Sequence, residues 1–512
     1  MEDFRMKGRA LALLLCLVTP MPARFLIAHA VRDSGTNSDK KQRKEIQPQH
    51  LRKVFELPAE TYPIGSLTIS PSDELIAYSI DRRKRSPANR LLHLFTLDVD
   101  KLFVTDTTLK IWNRRTNQIQ AIVQDETVDG FYGLDFTSDG KTLATRKGFS
   151  TGELKLWDAQ TGKPIANLAR TEKRILSSRL SPDGKYFAAS FEDGTASLWS
   201  VPKGELIAVF GTPPKKEGSW LKRLGNDDLY SDPFFHVGLY FSPDSRLLVT
   251  TGMDRKPKYG DAPARTTSVW DTATGQLKFT VAGSDTFSWI GDGATDLFSP
   301  DGSVIATTFT ERNGASNLTA NSVKLWSSKD GSLSRTLDHA RTPIRFSSDG
   351  KSVATGLVHW DDDGTWDYVA EIWNVETGTL TRRLEDTKGS LDEMYWTPDG
   401  HTLATTGGGK YTLTLWDADS GKQKTKIRLV RRHCFDFVSD CISDLDLLLF
   451  SPDGHFLTAT NQKFFRIIDV KSGSVLETIE GIGIPTAFLS SGELVTLSAD
   501  KRRVVIWEIK PD

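Results

Sequence analysis

Cysteine is scarce in this chain, three residues in 512. That is too few for a disulfide-dense scaffold or a multi-cysteine zinc domain. Net charge of either sign is missing as well: 65 Lys and Arg stand against 66 Asp and Glu. No global field therefore attracts nucleic acid or an anionic membrane. Glycine (40) and proline (22) are too sparse for a collagen-like or low-complexity chain. The apolar run Ala10 to Val18 has nine residues, against the roughly 20 that span a bilayer, so no transmembrane segment is expected. Catalytic signatures are lacking too. There is no Gly-x-Ser-x-Gly elbow, no phosphate-binding Gly-Lys-Ser/Thr loop, no dinucleotide fingerprint and no His pair at metal-site spacing. Hydrophobic residues make up 38% of the chain, which at this length supports a large core.

Residues 1–30 read as a secretory signal peptide. Arg5, Lys7 and Arg9 form a basic start, Ala10 to Val18 an apolar centre, and Ala28-His29-Ala30 a small-residue cleavage site. Glu2 and Asp3 weaken the basic region, and translation from Met6 would remove them. Leu15, a bulky residue before Cys16, excludes a lipoprotein. The expectation is export, periplasmic or secreted; the alternative is an uncleaved tail on a cytoplasmic protein. Residues 31–50 are polar and charged, a flexible linker.

The main signal is internal repetition. Ser-Pro-Asp-Gly turns start at Ser181, Ser299 and Ser451, with variants at Ser70, Thr137, Ser242, Ser347, Thr397 and Ser490. Each follows an apolar segment and precedes an alternating one. A further alternating segment then carries Trp112, Trp157, Trp199, Trp270, Trp326, Trp373, Trp416, Ile468 or Trp507. Most units add a Gly-containing turn such as Thr161-Gly162 and a fourth short segment. Two-residue alternation bounded by Pro, Asp and Gly predicts short antiparallel strands joined by tight turns.

Trp-Asp pairs stand at Trp157-Asp158, Trp270-Asp271 and Trp416-Asp417. On these residues, residues 51–512 resemble the WD-repeat β-propeller family, with bacterial-like turns. No Gly-His pair precedes any unit, so the family's buried His-Ser-Asp-Trp network is mostly absent. The resemblance implies an all-β fold: a single β-propeller of four-stranded antiparallel blades, nine units as read, with eight blades the runner-up. The last unit ends at Ile509 without a fourth strand, and residues 51–57 have the alternation to supply it, so an N-terminal strand is expected to close the ring.

The family's geometry puts the turns between strands one and two, and three and four, on one face. Those stay short here. The long connections, at about 80–106, 211–236, 254–266, 283–294, 310–321, 357–368 and 428–444, belong to the opposite face. Loops held on a rigid scaffold are where binding concentrates, although loops also tolerate drift. Aromatics fall there: Trp220, Tyr230, Phe234, Trp289, Trp360, Trp366 and Tyr368 are the candidate binding residues, unless they pack the loops against one another. Trp396, beside Tyr395 in a first strand, reads as core.

Asp361-Asp362-Asp363-Gly364 invites a calcium reading but lacks EF-hand spacing, and solvated turns carry the same residues. Cys434 and Cys441 are a candidate disulfide if the chain is exported. The expectation is a monomeric, non-enzymatic interaction scaffold. It needs no cofactor, catalytic residue or metal, and its partner is a protein, peptide or glycan, not nucleic acid. The alternative is a propeller enzyme or small-molecule sensor with a site in the central channel.

Overall fold

The computed structural model describes residues 48–85, 103–124, 130–147, 152–171, 173–211, 238–253, 265–282, 297–312, 319–360, 366–384, 391–407, 412–428, 447–460 and 464–510. The expected signal peptide and most of the linker lie outside them. Nine antiparallel sheets follow one another along the chain. They are the nine blades of a β-propeller, numbered here in chain order, rather than the eight of the runner-up. The first eight run their strands in sequence order from the innermost outward, and the ninth does so for its first three. In blade 5 the innermost strand is reduced to one bridge, Phe298 to Ile305, beside three full strands.

The ring closes as the alternation of residues 51–57 predicts. The strand Leu51–Glu56 pairs antiparallel with Val504–Ile509, setting Leu51 opposite Ile509 and Lys53 opposite Trp507. The closure continues past that strand. The N–H groups of Leu57, Glu60 and Ile64 donate to the carbonyls of Val504, Arg502 and Lys501 at 2.9, 2.9 and 2.7 Å. Glu60 then takes the Tyr78 hydroxyl at 2.7 Å and the Lys110 ammonium at 2.8 Å. Burial and that carboxylate push the Tyr78 phenol far above its usual range.

The core lies between blades rather than inside one. Leu109 and Trp157 share a cluster across blades 1 and 2, and Ile76 and Val495 share one across blades 1 and 9. Nine such clusters span the nine successive blade pairs, so no blade buries its apolar faces alone.

The recurring residues are the ones that satisfy the turns. Ser181 Oγ accepts the Tyr186 N–H at 2.9 Å and donates to Asp183 Oδ1 at 2.7 Å, which accepts the Lys185 N–H at 3.0 Å. Gly184 takes φ 72°, a left-handed conformation that glycine adopts freely. Where an Asp follows the marker Trp, at Asp158, Asp271 and Asp417, it does similar work one turn later. Asp158 Oδ1 accepts the N–H of Gln160 and Thr161 and the Thr161 hydroxyl. An amide oxygen serves equally, as at Asn374 with Thr377, which explains why the pair tolerates Trp-Asn.

The structure corrects the expected long connections in three blades. Stretches inside 80–106, 310–321 and 357–368 are strand rather than loop. Leu75–Arg85 pairs with Phe103–Asn113, Val304–Arg312 with Thr319–Ser327, and Ser352–Trp360 with Trp366–Asn374. Strand-favouring residues such as Val358 and Trp360 keep the ladder running until turn-forming residues are reached. Second and third strands thus continue as hairpin arms on one face.

Candidate functional site

Residues 212–237, 283–296 and 429–446 lie outside the described structure, and with them Trp220, Tyr230, Phe234, Trp289, Cys434 and Cys441. Trp360 and Trp366 are register partners at the end of the nine-residue hairpin arm of blade 6, and Tyr368 is the partner of Val358. These three were expected on a loop; they stand on strands. The backbone brings them together on one arm.

A second feature sits on the opposite, short-turn face. A shallow cleft of about 360 Å³ forms where the first strands of blades 6, 7 and 8 end, lined by Arg345, Tyr395, Trp396, Pro398, Phe450 and Pro452 among others. Its walls are cross-braced. Trp396 Nε1 donates to the Arg345 carbonyl at 3.0 Å, and Arg345 Nε donates to the Met394 carbonyl at 2.9 Å. The Arg345 guanidinium lies 5.3 Å from the Tyr395 ring centre, and the Tyr395 hydroxyl donates to Glu393 Oε2 at 2.6 Å. The turns that follow Trp396 and Phe450 also carry carboxylates. Burial opposes ionisation of Asp399 and Asp453, yet turn hydroxyls and N–H groups hold both below the usual carboxylate range. The cleft is therefore lined by aromatic and proline side chains together with the Arg345 guanidinium.

Trp396, read as core from the sequence, is half-buried and lines this cleft. The signal that could have found it is an aromatic at the last position of the first strand, directly before the turn. It recurs at Phe136, Phe241, Phe298, Phe346, Phe450 and Phe488.

On the first strand of blade 2, the surrounding protein pushes the Asp135 carboxyl up against the opposing pull of Arg179 and Arg146, although the residue keeps access to solvent. Among the described residues, no three His, Cys, Asp or Glu side chains gather as a metal-binding group. No helix among them is long and apolar enough to cross a membrane.

This is the architecture of a WD-repeat-type propeller, and comparison with known proteins agrees. Residues 162–200 match the family model "WD domain, G-beta repeat". Protein HIR1 of Gibberella zeae is 26% identical over 349 residues, covering 53% of this chain and 32% of that protein. The small ribosomal subunit protein RACK1y of Oryza sativa subsp. japonica is 28% identical over 117 residues, 23% of this chain and 31% of that one. "Cell division cycle 20.5, cofactor of APC complex" of Arabidopsis thaliana is 31% identical over 134 residues, 26% of each chain. The chain thus spans about a third or less of the length of these relatives. A crystal structure of the eukaryotic initiation factor superposes with a TM-score of 0.52 at 12% identity, over 83% of this chain and 89% of that one, a likeness of fold alone. The bacterial character read into the turns is not confirmed, since these relatives are fungal and plant proteins.

Proposed function

We propose that this protein is a non-enzymatic interaction scaffold that presents its hairpin-bearing face to a protein or peptide partner. The observation that carries this is the one-sided extension of blades 1, 5 and 6. Their second and third strands run on as arms while the turns of the other face stay short. A closed ring with its core between blades is a stiff platform, and projecting elements on such a platform are suited to recognition. Two of the relatives, named as a ribosomal subunit protein and a cofactor of a complex, are components of assemblies. Trp360, Trp366 and Tyr368 would form one contact on the blade 6 arm, and Trp220, Tyr230, Phe234 and Trp289 remain sequence candidates for further contacts.

The export reading, and with it the Cys434–Cys441 bridge, rests on residues 1–30 alone and gains no support from the relatives, which are eukaryotic; a cytoplasmic location is compatible with them. The test is capture of partners by wild-type protein and by Trp360→Ala with Trp366→Ala, the thermal melt serving as the folding control. Loss of specific partners with an unchanged melt supports the reading, and undiminished capture overturns it. A second reading, a peptide or small-molecule site at the propeller centre, is favoured by the aromatic cleft of blades 6 to 8. It predicts that Trp396→Ala, rather than the arm variant, abolishes binding.

A further inference from the structure

Each blade ends in an outer strand that is hydrogen-bonded to the sheet on one side only. Such edges template pairing with other chains, and soluble proteins blunt them with charge. Seven of the nine do so here; Leu380–Leu384 (LTRRL) and Gln423–Arg428 (QKTKIR) are examples. Of the two without charge, Gln118–Gln124 carries three glutamines. The other, Leu206–Phe210 of blade 3, reads LIAVF and is wholly apolar. It also bears the two most exposed large hydrophobic side chains described, Val209 at 58% and Leu206 at 56%.

We propose that Leu206–Phe210 is a self-association edge, pairing antiparallel with the same strand of a second copy and joining two blade 3 sheets into one eight-stranded sheet. The pattern favours a second copy because the strand is complementary to itself. A two-fold centred on Ala208 sets Leu206 opposite Phe210, Ile207 opposite Val209, and Glu205 opposite Gly211. No like charges meet, and like charges directly opposite one another are destabilising. The same operation on Leu380–Leu384 would set Arg382 against Arg382. The pairing would satisfy outward backbone groups and take the exposed Leu206 and Val209 side chains out of water. Five residues make a small contact, so the dimer is weak and concentration-dependent, in place of the monomer expected from the sequence.

Sedimentation velocity of the full chain across the micromolar range tests this. The expected result is a reversible monomer–dimer equilibrium whose dissociation constant Val209→Lys raises about tenfold or more. The melt should not move, because that side chain is exposed in the monomer. Ile122→Lys, on the glutamine-bearing edge of blade 1, should leave the equilibrium unchanged. A wild-type protein that stays monomeric throughout overturns the proposal. So does a dimer indifferent to Val209→Lys. A monomer whose melting temperature falls on Val209→Lys would instead assign the cover of this strand to the chain's own residues.

Discussion

The indole N–H of Trp416 donates to Thr405 Oγ1 at 2.9 Å, and Thr405 stands two residues beyond Leu403, the register partner of Trp416. The same bond recurs in five other blades, between Trp157 and Thr145, Trp270 and Thr250, Trp326 and Thr307, Trp373 and Thr355, and Trp507 and Thr496. Where the marker is Ile468, the equivalent second-strand position holds Ala459. Donor and acceptor are present together or lost together there, which is what a buried pair requires. Blades 1 and 3 are the exceptions: Tyr78 and Ala189 occupy the acceptor position, and in blade 1 the Trp112 indole N–H is buried without a partner.

Thr405→Val keeps the shape and removes the acceptor. It should cost about 1–3 kcal/mol, the usual penalty for stranding a buried donor. Urea unfolding measures it. A second variant, Trp416→Phe, combined with it in a double-mutant cycle, should give a coupling energy clearly different from zero.

Blade 3 allows the converse experiment, because Trp199 has Ala189 where six other blades have threonine. Ala189→Thr should create the missing bond and raise stability by about 0.5–1.5 kcal/mol. A drop in the denaturation midpoint would show that the site is too tightly packed to accept the extra atoms.

Acid should unfold the ring through its turns. Asp139, Asp301 and Asp349 are held below the usual carboxylate range, chiefly by the hydroxyls of Thr137, Ser299 and Ser347. A folded-state value below the unfolded one, near 3.9, contributes stability that is present above that pH. It is lost as pH falls through the folded value. Asp330, lowered to about 2 by the Ser332 hydroxyl and N–H, marks the lower end of the window. Asp135 has the opposite sign and slightly offsets the loss. Calorimetry should show a melting temperature nearly level at neutral pH and falling steeply below pH ~4. A level profile down to pH ~2.5 would refute the assignment of these turns as the acid-sensitive element.

Two glycines separate backbone strain from blade contact. Both adopt left-handed φ, +68° at Gly275 and +88° at Gly492. A Cβ on Gly275 would lie 2.4 Å from the Cβ of Ala208 in blade 3, whereas one on Gly492 meets nothing within 4 Å. Gly492→Ala should cost about 1–2 kcal/mol from conformation alone, and Gly275→Ala distinctly more. Equal costs would mean that the turn of blade 4 is not seated on blade 3.

Much of this was readable in advance because turn chemistry is local. Ser181, Asp183 and Gly184 act on one another within four residues, so the blade count survives in the sequence wherever such a turn does. The closing strand was readable for a related reason: blade 9 lacked a strand and residues 51–57 had the period to supply it. What escaped depends on register across the chain. The arm ending at Trp360 and Trp366 looked like insertion because nothing local distinguishes a ladder that continues from one that stops. The cleft around Trp396 is assembled from three strand ends some fifty residues apart, and only the ring brings them together. Thr405 was invisible for the same reason, since its importance is set by the strand opposite.

Arg52 and Glu508, 456 residues apart, pair within a single blade. During synthesis the first eight blades can each form and stack as they emerge, but blade 9 has no rim strand until its own final residues meet the beginning of the chain. Until then, blade 1 presents to solvent the apolar flank of Ile76 and Tyr78 that later packs against Val495 and Ile506. The nascent ring is thus an open arc with one sticky end for nearly the whole of translation. The long sequence separation of that pairing predicts a slow, aggregation-exposed closure, and a chain cut before Val504 would leave an arc rather than a shorter ring.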